Sequence, residues 1–210
     1  MVSSCLVKVV SSDIKHNFLI HYLVALGIIL ITPVLFGISQ LDSRLSAQPL
    51  EMLIPLMGII VMTPIILPEQ NVIIRDVIVS RKTSYFFICL YRLILSICFI
   101  VLFIGGFVLF MKASECEVSI KHFLGSIAST FALGSVGFFV ATTTNNIIAG
   151  YMTSVIYYIS NFGLKDKLKG LFLFSMTCGS FEEKKTLFLV SFSLIMSTFL
   201  IRYLAKKYFL

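Results

Sequence analysis

The sequence predicts an all-α polytopic membrane protein: a bundle of six transmembrane helices, with an interfacial helix at the N-terminus and an amphipathic helix between the second and third spans. Hydrophobic residues make up 58% of the 210 positions and charged residues 13%, against a charged share of about 25% in soluble domains. The mean hydropathy is +1.00. The polar residues are also grouped, lying in short segments between apolar runs of about the length that crosses a hydrocarbon core. One membrane domain over residues 1–210 is expected, with no internal repeat or low-complexity segment.

Residues 1–17 mix Leu6, Val9 and Val10 with Lys8, Asp13 and Lys15, a pattern for a helix lying on the membrane surface. The first span is expected over Phe18–Gly37, with Pro33 as a kink, and no small-residue cleavage pattern follows it. Ile38–Leu50 is polar and should turn the chain on the far side. The second span, Met52–Leu67, is short and holds Pro55 and Pro64, so bending or tilt is expected.

Pro68–Ser84 (PEQNVIIRDVIVSRKTS) is the one charged, amphipathic interruption long enough to be a docking element between two spans. Pro68 suits the first turn of a helix, where its missing N–H costs nothing, and Glu69 suits the positive end of the helix dipole. Ile73, Ile74, Val77 and Ile78 recur at helical spacing, while Asn71, Arg75, Asp76 and Lys82 fall largely on the other side. Such a helix either rests in the interface with its charges solvated or docks into a groove of a soluble partner.

The third span, Tyr85–Phe110, carries Arg92 about two turns in. A charge at the bilayer centre costs on the order of 3 kcal/mol. Arg92 therefore either snorkels back to the loop end or faces a wet cavity or a carboxylate on another helix. Met111–Lys121 forms the second far-side loop. The fourth span, His122–Thr144, is crowded with Gly125, Ser129, Ala132, Gly134, Ser135 and Gly137, which let helix backbones approach closely. It should be buried, by packing within one subunit or else at a subunit interface or pathway wall.

A polar turn at Thr142–Asn146 leads to a fifth span, Ile147–Phe162. In the segment 163–185 the apolar piece Leu171–Cys178 is too short to cross and should be re-entrant or interfacial. The sixth span is expected over Thr186–Leu204.

The net charge of +7 does not indicate nucleic acid, because the basic residues sit in loop clusters where headgroups and topology explain them. Nor does it orient the chain. The terminal side holds Lys8, Lys15, Arg75, Arg81, Lys82, Arg202, Lys206 and Lys207; the other holds Arg44, Lys112, Lys121, Lys165, Lys167, Lys169, Lys184 and Lys185, a tie.

Cys5, Cys89, Cys98, Cys116 and Cys178 form no C-x-x-C pair; a bridge between Cys116 and Cys178, in loops on one side, stays open. His16, His21 and His122 lack metal-ligand spacing and should be interfacial. No catalytic or metal residue is expected. H-E-x-x-H, G-x-S-x-G and paired intramembrane acids are all missing. Glu51 and the loop acids fall at span ends, which disfavours an ion-driven carrier.

The run TPIILPEQNVIIRDVIVSRKTSYFFICLYRL resembles the region after the second span of ABC-2-type permeases, the membrane subunits of a class of ATP-binding-cassette transporters, in its Pro-Glu start, amphipathic helix, basic pair and Arg in the next span. The outline of six spans, polar turn and short helices before the last span is similar too. The resemblance implies cytoplasmic termini in a cell membrane, expected to be bacterial. It makes residues 68–84 a cytoplasmic coupling helix, with Glu69, Arg75, Asp76 and Arg81 meeting an ATPase subunit, and residues 163–185 extracellular. It also implies a second permease copy or paralogue, and an unspecified substrate with export as the expected direction. The chain lacks G-x-x-x-x-G-K-[ST], so ATP would be bound by the partner and no cofactor by this chain. A non-transporting membrane partner or immunity protein is the alternative.

Overall fold

The computed structural model describes residues 17–70, 85–163 and 165–209. Their helices are α1 (Leu19–Phe36), α2 (Ser43–Met52), α3 (Leu56–Met62), α4 (Leu67–Gln70), α5 (Tyr85–Ala113), α6 (Ile120–Thr144), α7 (Ile147–Gly163), α8 (Lys165–Leu168) and α9 (Glu182–Phe209), with 3-10 turns at Thr63–Ile66 and Lys169–Leu171. Five stretches are long and apolar enough to cross a membrane: Leu19–Phe36, Ser43–Ile66, Phe87–Ala113, Ile120–Thr144 and Glu182–Leu204. The expected fifth span corresponds to α7, which has 17 residues and extends only about 25 Å. The interfacial stretch 1–16 and most of the amphipathic stretch, Asn71–Ser84, lie outside the described residues.

The second span starts nine residues earlier than its composition suggests. Ser43–Leu50, expected to be part of a polar turn, is helix α2, and it buries Ser46, Ala47, Pro49, Leu50 and Glu51. Its buried polar groups are held by protein: Ser46 Oγ donates to Leu41 O at 3.1 Å and Ser126 Oγ to Leu50 O at 2.9 Å. Over its apolar 18-residue core, 78% of the residues of Ser43–Ile66 are buried, against 11% for α1, so the second span is the inner strut of the bundle and α1 faces outward. Pro64 and Pro68 cannot donate to the helical ladder, and the backbone between them tightens into the 3-10 turn Thr63–Ile66.

Helix α6 is the hub, and its small residues work as expected for packing within one subunit. A Cβ on Gly58 of α3 would overlap the Thr130 carbonyl, and one on Gly134 would meet Met62 Sδ and, at 2.9 Å, Gly58 O. One step further along, Gly137 sits against Thr63 and Ser154, and Gly150 of α7 would bring a Cβ to 2.6 Å from Gly137 O. Backbone therefore touches backbone along both faces of α6. The turn after it uses both asparagines: Asn145 takes the left-handed conformation at φ 52° that ends a helix, and Asn146 Oδ1 caps α7 by accepting from Ile148 N at 2.9 Å.

The two ends of the bundle are built differently. At one end the loop after α1 meets the loop before α6, through Gln40 N to Ser114 O at 3.2 Å and Glu117 N to Leu41 O at 3.0 Å. His122 is 3% exposed there rather than interfacial. Its Nδ1 accepts from Ser119 N at 3.2 Å, which leaves Nε2 to donate to Ser43 O, 3.0 Å away, pinning the start of α2 to the start of α6. At the other end Gln70 Nε2 donates to Asn145 O at 3.3 Å and Arg202 to Thr142 O at 3.5 Å. Gln70, the last described residue of the amphipathic stretch before Asn71, thus lies beside the α6–α7 turn.

Arg92 does not snorkel. It is 4% exposed and donates to Ile65 O at 3.4 Å from a position over the Phe18 ring, 5.9 Å from its centroid. Ser96, one turn on, donates to Val61 O at 3.4 Å. Arg92 and Ser96 share a face of α5, and Ile65 and Val61 are likewise four apart on the strut, so two antiparallel elements meet through paired side-chain-to-carbonyl bonds. The charge is thereby placed against a carbonyl of the 3-10 turn.

Candidate functional site

Glu51 lies within the strut, one residue before the apolar run begins, and is fully buried. Its carboxylate meets Lys184 Nζ at 2.5 Å through Oε1. It also accepts Met176 N at 2.8 Å on Oε1 and Thr177 N at 2.9 Å on Oε2. Lys184 is on the first turn of α9, since the last span begins at Glu182 rather than Thr186. Glu182 and Glu183 suit that helix end, whereas a cation there opposes the dipole. Its side chain is 6% exposed, and its donors go to Glu51, to Ser129 Oγ at 2.6 Å and to Leu173 O. Three bonds use all three protons of the ammonium group.

The group that this pair holds is the short apolar piece between α7 and α9. Phe172, Leu173, Phe174, Ser175 and Met176 are buried, and the segment is packed into the bundle as turns. A non-helical backbone inside a bundle survives only where protein satisfies its polar groups, and here side chains of the neighbouring helices meet several of them, although the Ser175 hydroxyl is buried without a hydrogen-bond partner. Asn161 Oδ1 accepts from Leu173 N at 2.8 Å, Tyr157 OH donates to Leu171 O at 2.6 Å, and Glu51 takes the Met176 and Thr177 amides. Tyr158 OH closes the ring by donating to Met52 O at 2.7 Å. Gly125 lets the chain come this close, because a Cβ there would overlap Met176 Sδ. Four parts of the chain, α2, α6, the buried turn and α9, are thus joined at one buried ion pair.

Chemically this is a clamp. The carboxylate already holds three donors and the ammonium three acceptors, one of them the Ser129 hydroxyl. Among the described residues no group of His, Cys, Asp and Glu could hold a metal ion. Cys116 and Cys178 are both free thiols. Glu51 does supply the buried acid whose expected absence disfavoured an ion-driven carrier, but its fixed counter-ion is Lys184.

The residues expected to couple to a partner do not belong to this site. Glu69 lies in α4, at the opposite end from the clamp, while Arg75, Asp76 and Arg81 fall outside the described residues. Arg92 packs against the strut, about 27 positions from its carbonyl partner in the chain. Glu51 and Lys184 were the residues that composition alone passed over. The signal was present in the apolar neighbours Leu50, Met52 and Leu53, since an ionisable residue inside a span marks a functional or structural partner by default. No protein-family model matches the chain, and comparison with curated proteins and with solved structures finds no match either.

Proposed function

We propose that the chain is the membrane-spanning permease subunit of an ATP-binding-cassette transporter, driven by a separate ATPase and paired with a second permease copy or paralogue. What carries this reading is the continuity of the inner strut. Residues Ser43–Gln70 run as nearly unbroken helix, and the part from the Glu51 clamp to Pro68, where the charged amphipathic stretch begins, extends roughly 25 Å. A partner that grips Pro68–Ser84 would therefore hold one end of the most buried span, and displacement at that end would reach the clamp at the other. Arg92 bears on the flexure point, the 3-10 turn.

In this mechanism the ATPase subunit binds and hydrolyses ATP, and Glu69, Arg75, Asp76 and Arg81 receive its movement. The chain resides in the cell membrane of a bacterium with both termini in the cytoplasm, and it exports its substrate. Reversing the charges in an Arg75→Glu, Asp76→Lys double variant should lower recovery of the ATPase, because truncating one partner of a desolvated charged contact costs about 2–5 kcal/mol. Membrane expression should stay normal, since the apolar anchors Ile73, Ile74, Val77 and Ile78 are retained. Normal ATPase recovery together with normal substrate-stimulated hydrolysis would overturn the coupling assignment. Substrate stimulation of the co-purified ATPase also separates a permease from a non-transporting membrane partner.

Orientation has its own test. Cys178 is exposed at the clamp end. With the other cysteines replaced, a membrane-impermeant maleimide should label it from outside the cell, and a Ser84→Cys variant without Cys178 should resist. The reverse pattern would invert the topology.

A further inference from the structure

We infer that the cleft between α6 and α9 is a binding site for an anionic phospholipid of the surrounding bilayer. The cleft has a volume of about 680 Å³ and is lined along α6 by Lys121, Leu124 and Ala128 and along α9 by Lys185, Phe188 and Leu189. Both helices begin at the same end of the bundle, and in each the sequence from that end is a lysine followed at three- or four-residue spacing by apolar residues. The cleft is therefore polarised, with two cations at headgroup level and an apolar trough below them. Gly125 and Ala128 are the small residues of its lining.

It opens sideways. Leu124 is 58% exposed, Phe188 48% and Leu189 68%, so the walls face the bilayer, where an acyl chain is the natural neighbour. Lys184 also borders the cleft, but Glu51 neutralises it, so recognition of the anion falls to Lys121 and Lys185. Glu182 is the carboxylate in the lining, which sets the headgroup toward Lys121, whose Nζ stands 5.9 Å from the centre of the Phe181 ring. A zwitterionic lipid would fill the trough equally well but bring no net charge to the lysines.

The chain contains no tryptophan, so a Phe188→Trp variant carries a single reporter in the cleft. The full chain is reconstituted into phosphatidylcholine bilayers with equal small fractions of brominated phosphatidylglycerol or brominated phosphatidylcholine, whose bromines quench tryptophan on contact. Brominated phosphatidylglycerol should bind more tightly, on the order of fivefold for each lysine engaged. A Lys121→Gln, Lys185→Gln double variant in the same background should lose that preference, and a Leu26→Trp reporter on outward-facing α1 should show none. Leu189→Trp serves as a second reporter on the same wall. Equal quenching by the two lipids, a preference that survives loss of both lysines, or a tryptophan shielded from both lipids by a second copy of the chain would each overturn the assignment.

Discussion

Replacing Lys184 with Met is expected to destabilise the protein by about 3–5 kcal/mol, the usual cost of leaving one member of a buried ion pair without the other. Met matches the length of the lysine stem but strands the Glu51 carboxylate, which is fully buried. The Met176 and Thr177 amides still bind it, yet they carry no compensating charge. A Glu51→Gln, Lys184→Met double variant removes both charges and keeps an acceptor for one amide. It should recover at least half of the loss. Equilibrium unfolding in mixed SDS micelles, followed by helical circular dichroism, reads both effects. Should Lys184→Met fail to accumulate, accumulation of the double variant gives the same answer. A cost of under about 1 kcal/mol for Lys184→Met would mean that the pair is solvated and that the turn between α7 and α9 is held by its other bonds.

Gly58→Ala is expected to be nearly as damaging, although it adds one methyl group. The added carbon would overlap the Thr130 carbonyl, a backbone atom that cannot rotate away, so the strut and α6 must separate. Overpacking of this kind costs about 1–3 kcal/mol and occasionally more, and here the upper end is expected because the contact recurs at Gly134 and Gly137. Gly27→Ala and Gly106→Ala are the matched controls. Neither would meet any atom within 4 Å, and alanine favours a helix over glycine by about 1 kcal/mol, so both should be neutral or stabilising. Equal tolerance of all three substitutions would show that the α3–α6 crossing is looser than the geometry requires.

Membrane spans were legible in the sequence because hydrocarbon length sets how many apolar residues a crossing needs. The small residues of α6 were legible for a related reason: glycine repeated at helical spacing has few uses in a span besides close approach. Boundaries were less so where polar residues are buried. Ser43–Glu51 looks like a loop by composition, but its hydroxyls and carbonyls are bonded within the bundle, and hydropathy does not distinguish a group bonded to protein from one bonded to water. The same blindness placed Lys184 in a loop, and it left Arg92 between a snorkelling anchor and a charge facing a wet cavity or a carboxylate, when the proline-tightened turn offers it the Ile65 carbonyl.

The sequence by itself determined that the chain is a helical membrane protein, where most of its helices run, and which of them packs closest, because these follow from local composition and period. Only the tertiary structure decided that Glu51 and Lys184, 133 positions apart by their numbers, neutralise one another around a buried turn. A charge pair depends on which helix ends meet in space, and that is set by the packing of α6 against the strut and α9, not by the residues flanking either charge.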